Sequence, residues 1–273
     1  MNRVSRDTKG DGTVGKALDV LDRVAAFGRP VRFTEILEDA PFPKATLYRF
    51  VQTLTNQGML AYDEERQTYS PGMRLVRLAH AAWEQSSLAP IARPHVDALA
   101  RDTRETVHLA QLDHAQVLYV DKRNAERAVE MFSSAGKIGP AYCTGVGKVM
   151  LAYLSEADLG PILGQQSFHR FTSTTITSEA ALRAELSDIR AKGYGFDREE
   201  HEPGIICIAV PILSGTDRVL GAVSVTATTA RQSLDDLEAL APRVQAAAGR
   251  IAEDARHWRF PDQMNLTQMT GTD

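Results

Sequence analysis

Lys44, Thr46, Tyr48, Arg49 and Gln52 fall within one short stretch, KATLYRFVQTLTNQ, which holds no carboxylate and mixes cations with hydroxyl and amide groups. Groups of that kind bond phosphate oxygens and the edges of bases. In the same stretch Leu47, Phe50, Val51 and Leu54 recur at i, i+3, i+4 and i+7, which predicts a helix from about Lys44 to Gln57 with one buried stripe. The polar set, with Ala45 beside it, is then turned outward. An enzyme's core helix has no need of such a face, although an amphipathic helical hairpin beside a β-hairpin also serves plain packing.

A second set lies far along the chain. Ser224 and Thr226 are two apart in a β-prone run, so both hydroxyls leave the strand on one face. Two hydroxyls facing a core need partners, either a polar ligand or neighbouring backbone. The small residues of Gly139 to Gly147 leave backbone amides open ahead of a helix start, which suits a carboxylate and equally suits an ordinary turn. Cys207, inside GIICIAVP, reads as a small buried hydrophobe.

These residues need a frame. Before the polar helix, Ile36 and Leu37 mark a short helix that Thr34 is placed to cap, with Pro41 and Pro43 closing it and opening the next. Gly58 is a natural left-handed stop. Met59 to Tyr62 and Thr68 to Ser70, around the charged turn Asp63 to Gln67 that holds Arg66, predict a two-stranded wing. A preceding helix, about Val14 to Phe27, presents Leu18, Leu21, Val24 and Ala25 as the third wall of a small core. The layout is a winged helix-turn-helix, which implies double-stranded DNA as a partner.

Charge sets the strength of that contact. Residues 1 to 85 hold twelve Lys or Arg against eleven Asp or Glu, a local cationic face rather than a polybasic domain. The remainder, with 19 basic and 24 acidic residues, carries the net charge of −4 and has no reason to touch DNA. In 273 residues with 43% hydrophobic and 24% charged content, two domains are expected. The polar start MNRVSRDTKGDG has no apolar core of a signal or span, so a cytoplasmic protein with no membrane partner is expected. Cys143 and Cys207 show no CxxC spacing, and His108 and His114 are parted by a hairpin turn. No metal, cofactor or disulfide framework is expected.

The rest of the chain divides into a linker helix over 71–87, with Leu75, Leu78, Ala79 and Ala82 on one face, and a domain over 88–258. That domain opens with a helix after Pro90 bearing Ile91, Val96, Leu99 and Ala100. Strands follow at Thr106 to Leu112, Gln116 to Asp121 and Val129 to Ser133, then a helix from Gly145 to Leu154. A polar stretch leads to a helix from Ser178 to Lys192 closed by Gly193, strands at Tyr194 to Arg198, Ile205 to Leu213 and Val219 to Ala227, and one long helix from Ser233 to about Trp258. This order gives an antiparallel sheet covered by helices, an α+β module, and leaves 259–273 as a tail.

Taken together, FPKATLYRFVQTLTNQGML, the wing ending TYSPG, ARDTRETVHLAQL, YCTGVGKVMLAYL, GYGFDREEHEPGIICIAVPI and LGAVSVTAT resemble the IclR family of bacterial transcriptional regulators across about Val14 to Ala255. The resemblance implies a GAF-like second domain that senses a small molecule, and a dimer or tetramer on a pseudo-palindromic operator. By motif position it places effector contacts at Met131, Cys143, Thr144, Gly145, Asp197, Cys207, Ser224 and Thr226. It places DNA contacts at Lys44, Ala45, Thr46, Tyr48, Arg49, Gln52 and Arg66. The loop departs from the family's usual small residue at Cys143 or Val146. GYGFDREEHEPGIICIAVPI and RHWRFP look closest to the branch controlling hexuronate and pectin breakdown, which implies a repressor and a sugar acid such as 2-keto-3-deoxygluconate, with aromatic acids as the alternative.

An enzyme is the rival class, with a cysteine as nucleophile. A nucleophilic thiol needs an electropositive, accessible setting, whereas Cys207 is flanked by Ile205, Ile206, Ile208 and Ala209. No catalytic residue is expected.

Overall fold

The computed structural model describes residues 12–125, 131 and 133–257, and the chain separates into two compact units between Ala82 and Trp83. In the first, α1 (Gly12–Ala26), α2 (Phe33–Asp39) and α3 (Lys44–Asn56) enclose a core, and β1 (Val31–Arg32), β2 (Leu60–Asp63) and β3 (Thr68–Pro71) form a sheet in the order β1-β3-β2. The α3 stripe of Leu47, Phe50, Val51 and Leu54 is buried as the spacing predicts, against Val20, Leu21 and Val24 of α1 and Ile36 of α2. Each such side chain contributes about 1.5–3 kcal/mol when fully buried. Gly58 at φ +68° ends α3, with Met59 N–H donating to Leu54 O at 2.9 Å and Gly58 N–H to Thr55 O at 2.9 Å.

Two local expectations fail here. Thr34 does not cap α2, because Val31 and Arg32 are held extended by pairing with Tyr69 and Thr68, so the helix begins at Phe33 and Glu35 reaches back to Arg32 N–H at 2.8 Å. On α1, Leu18 and Ala25 face solvent, and the buried residues are Val20, Leu21 and Val24. The helix carries two apolar stripes, and the one aligned with Ala17 and Phe27 is the one packed inward.

A helix α4 (Met73–Ser86) spans the division between the units. Its start is tied to the first unit by Leu75 and by Arg74, whose Nη1 donates to Gln57 O at 3.0 Å. Its end belongs to the second unit, where Trp83 Nε1 donates to Val120 O at 3.3 Å.

The second unit continues with α5 (Ala89–Thr103), β4 (Thr106–Asp113), β5 (Gln116–Arg123), β6 (Ile138–Pro140), α6 (Gly145–Leu151), α7 (Glu156–Leu163) and α8 (Glu179–Lys192). It ends with β7 (Gly195–Arg198), β8 (Ile205–Leu213), β9 (Val219–Thr228), α9 (Leu234–Glu238) and α10 (Ala241–Asp254). All six strands join in one antiparallel sheet ordered β6-β5-β4-β9-β8-β7. One face buries Val107, Leu109, Ile206, Ile208, Val210, Val223 and Val225 under α5 and α10. The other presents Ala110, Tyr119, Cys207, Ala209 and Ala222 to the cluster built around α6 and α8. Both faces are covered, which explains why β8 and β9 are apolar nearly throughout.

Three expectations change in this unit. Val129, Glu130 and Phe132 of the predicted third strand lie outside the described residues, and the strand that pairs with β5 is Ile138–Pro140. The stretch read as polar after Leu154 contains α7, capped by Ser155, whose Oγ accepts from Asp158 N–H at 3.2 Å, and packed through Leu159 and Leu163. The long last helix is broken into α9 and α10 at Leu240, because Pro242 fits only the first turn of a new helix. Trp258 and the 259–273 tail lie outside the described residues.

Candidate functional site

On the sheet face toward α6, the strands place their side chains by parity. Residues Thr106, His108 and Ala110 of β4 lie opposite Thr226, Ser224 and Ala222 of β9, and Cys207 of β8 lies between Asp197 of β7 and Thr226. The β4–β5 pairing shifts between Leu109 and Ala110, where Val120 is the extra residue. Val120 therefore joins the α5 side, and both Tyr119 and Lys122 stay on the face of His108.

Of these, His108, Tyr119, Asp197, Cys207, Ser224 and Thr226 line a small cavity of about 40 Å³, together with Ser133, Thr144 to Val146, His201, Glu202 and Ile205. Ser133 Oγ lies 2.7 Å from His108 Nε2, His108 Nδ1 lies 3.1 Å from Thr226 Oγ1, and Thr226 Oγ1 lies 3.5 Å from Ser224 Oγ. Burial, with the nearby Lys122 charge, pushes His108 down to about 3. The neutral imidazole donates through one nitrogen and accepts through the other, so Ser133 and Thr226 meet it in opposite roles.

Asp197, in the same row of the sheet beyond Cys207, is buried. Burial first, and then the Glu200 charge, raise its carboxyl to about 7, against the pull of Lys148 and of the Glu200 N–H that donates to Oδ1 at 2.7 Å. The turn that follows Asp197 is pinned from outside. Thr174 and Thr175 donate to Glu199 O and Glu200 O at 2.8 and 2.6 Å, while Phe171 stacks on His201 at 4.7 Å. Lys148, fully buried on α6, bonds Glu200 and also Glu185 at 3.0 Å, and Arg198 joins Glu185 at 2.8 Å.

Above the thiol, α6 starts at Gly145. A Cβ there would lie 2.4 Å from Cys207 Sγ and 3.3 Å from Ala209 Cβ, so only glycine permits this approach. Thr144, the residue before the helix, turns its hydroxyl to Pro140 O at 2.8 Å and makes no cap.

In the first unit, Lys44, Ala45, Tyr48, Arg49 and Gln52 are exposed along α3 and Thr46 is half-buried. Tyr48 is 52% exposed yet fixed in direction by an edge contact with Phe33 at 5.9 Å. Arg66 is exposed in the turn between β2 and β3, its Nε 3.9 Å from Asp63 Oδ2. Cations at the helix and at the wing thus belong to one small unit.

Residues 80–253 match the family model for the bacterial transcriptional regulator IclR C-terminal domain, and residues 13–64 match that for the IclR helix-turn-helix domain. The chain belongs to the IclR family of transcriptional regulators. It is 33% identical to the HTH-type transcriptional regulator KdgR of Escherichia coli over 91% of this chain and 95% of that one. It is 28% identical to the acetate operon repressor of Salmonella typhimurium, over 86% and 87%. The crystal structure of the Thermotoga maritima IclR superposes with a TM-score of 0.72 at 28% identity, covering 90% of this chain and 99% of that one. Among the described residues of this IclR-family regulator, no helix is long and apolar enough to cross a membrane.

The cavity gathers Thr144, Gly145, Asp197, Cys207, Ser224 and Thr226 of the positions carried over by resemblance. Met131 is buried but is not among the lining residues, and Cys143 packs into the apolar cluster with Tyr142 and Val149. Burial pushes both thiols upward, the opposite of what a cysteine nucleophile needs, and the family models and relatives that match are those of transcriptional regulators. His108, Tyr119, Ser133, His201 and Glu202 are lining residues that sequence reasoning missed. The alternation in TVHLAQL was a usable signal for His108, since Val107 and Leu109 claim the apolar face and leave Thr106 and His108 on the other. Ser133, two residues after Met131 in the strand expected over 129–133, lies outside any strand in the structure.

Proposed function

We propose that the cavity binds a small hydroxylated carboxylate and that its occupancy controls operator binding by α3, so that the protein works as a ligand-released repressor of a carbon-catabolism operon. The observation that carries this reading is the buried chain Ser133–His108–Thr226–Ser224, which lines the cavity together with Asp197. Several hydroxyls suit a ligand with several oxygens, such as a sugar acid of the 2-keto-3-deoxygluconate type, better than a flat apolar one. The name of the Salmonella relative, a repressor, supports the sign of regulation.

On the DNA side, Arg49 reads a base edge from α3, Lys44 holds a phosphate, Ala45, Thr46, Tyr48 and Gln52 complete the contact, and Arg66 touches backbone from the wing. One such helix reads a few base pairs, so two copies on a pseudo-palindrome supply the specificity. The exposed Val14 and Leu18 of α1 and Met73, Val76 and Leu78 of α4 supply the apolar surface for pairing.

The test is a mobility shift with the full chain and the DNA upstream of its own gene. Addition of 2-keto-3-deoxygluconate should release the complex. Release by protocatechuate with no response to keto-deoxy sugar acids would overturn the ligand class, and absence of any specific complex would overturn the operator role.

A further inference from the structure

An anion entering this cavity meets an electrostatic problem. Asp197 and Glu202 line it, and among the described residues no Lys or Arg does. The nearby cations are mostly committed: Lys148 to Glu200 and Glu185, Arg198 to Glu185. Lys122 differs from them. It stands on the cavity face of β5 opposite His108, is half-buried, and donates from Nζ to Ser133 O at 2.8 Å, so its ammonium touches a lining residue. Partial withdrawal from water lowers this amine, and the Glu202 carboxylate pulls it back up.

We propose that Lys122 is the specificity-determining cation of the site: its ammonium, held at Ser133 O beside the cavity, receives the effector's carboxylate, while the Ser133–His108–Thr226–Ser224 chain receives the effector's hydroxyl and carbonyl oxygens. This rests on the reading of the cavity as an effector site. An ammonium has three N–H groups, so the bond to Ser133 O leaves donors for a ligand. The β5 irregularity at Val120 is what permits the arrangement, since strict alternation from Tyr119 would send residue 122 to the apolar face under α5.

Calorimetry on the full chain with 2-keto-3-deoxygluconate and with its uncharged methyl ester tests the assignment. The wild type should prefer the acid, and Lys122→Met should weaken the acid by about ten- to a hundredfold, as for a hydrogen bond to a charged group, while leaving the ester unchanged. Lys122→Arg should restore most of the acid's affinity. A purely structural role, in which Lys122 only anchors Ser133, would weaken acid and ester alike and would overturn the proposal. So would a wild type that binds the ester as tightly as the acid, a measurement that holds even if Lys122→Met fails to fold. Binding of neither compound would instead overturn the sugar-acid reading itself, and with it the role of Lys122.

Discussion

Gly145 and Cys207 touch so closely that the first turn of α6 rests on the thiol, and a Cβ at position 145 would lie only 2.4 Å from Sγ. The cavity floor is thus set by the absence of one methyl group. Gly145→Ala should destabilise the second unit by about 1–3 kcal/mol through overpacking. It should also weaken effector binding, because α6 must lift from β8. Thermal unfolding and calorimetry check both, and Cys207→Ala should relieve much of the clash.

Protonation of Asp197 provides a pH test. Its folded carboxyl sits at about 7, above the ordinary carboxylate range, so the folded state holds a proton that the unfolded chain has released. That contribution to stability is present below the unfolded value of about 4 and is lost as pH rises through about 7. A bound carboxylate favours the protonated form further, so effector affinity should fall by roughly tenfold per unit above pH 7. Asp197→Asn should flatten the profile, and an equally steep profile in that variant would exclude Asp197 as its source.

Ser224→Ala should cost about 0.5–1.5 kcal/mol of sugar-acid affinity, the worth of one neutral hydrogen bond. Calorimetry reads this directly. Operator affinity of the ligand-free protein should be unchanged.

For the DNA face, Arg49→Ala should weaken the operator complex by about 1–3 kcal/mol and relax sequence preference, whereas Lys44→Ala should weaken all sequences alike and reduce the salt dependence. Mobility shifts at several salt concentrations against operator and scrambled DNA separate the two. An Arg49→Ala protein with full operator affinity would refute the assignment.

Lys148 has no contact with solvent and neutralises Glu200 and Glu185. Lys148→Met should cost about 3–5 kcal/mol, since it leaves buried carboxylates without a counter-charge. In urea unfolding, the added change Glu200→Gln should recover part of that loss.

What the sequence disclosed depends on whether one period sufficed to decide. Leu47, Phe50, Val51 and Leu54 leave α3 one choice of inner face, whereas β8, apolar on both faces, shows where a strand runs without showing which residues face the cavity. On α1, two apolar stripes compete, and only contact with α3 selects Val20, Leu21 and Val24 over Leu18 and Ala25. Arg32 shows the same limit at a helix start, because pairing with Thr68 across the wing, invisible locally, fixes where α2 begins. In the site, Asp197, Cys207, Ser224 and Thr226 on strands were legible, and His108 and Tyr119, also on strands, were passed over. His201 and Glu202 were not legible, since they follow a turn whose course is set by partners distant in the chain, such as Phe171 and Thr175.

The two-sided packing of β8 has an evolutionary corollary. Ile206, Ile208, Val210 and Ile212 hold the fold together, while Cys207 and Ala209, interleaved with them, face the cavity and α6. Ligand preference and foldedness are written in the same strand on alternate letters. Substitutions can then accumulate on one set without disturbing the other, so a lineage carrying this sheet is free to change what it senses while keeping the scaffold that does the sensing.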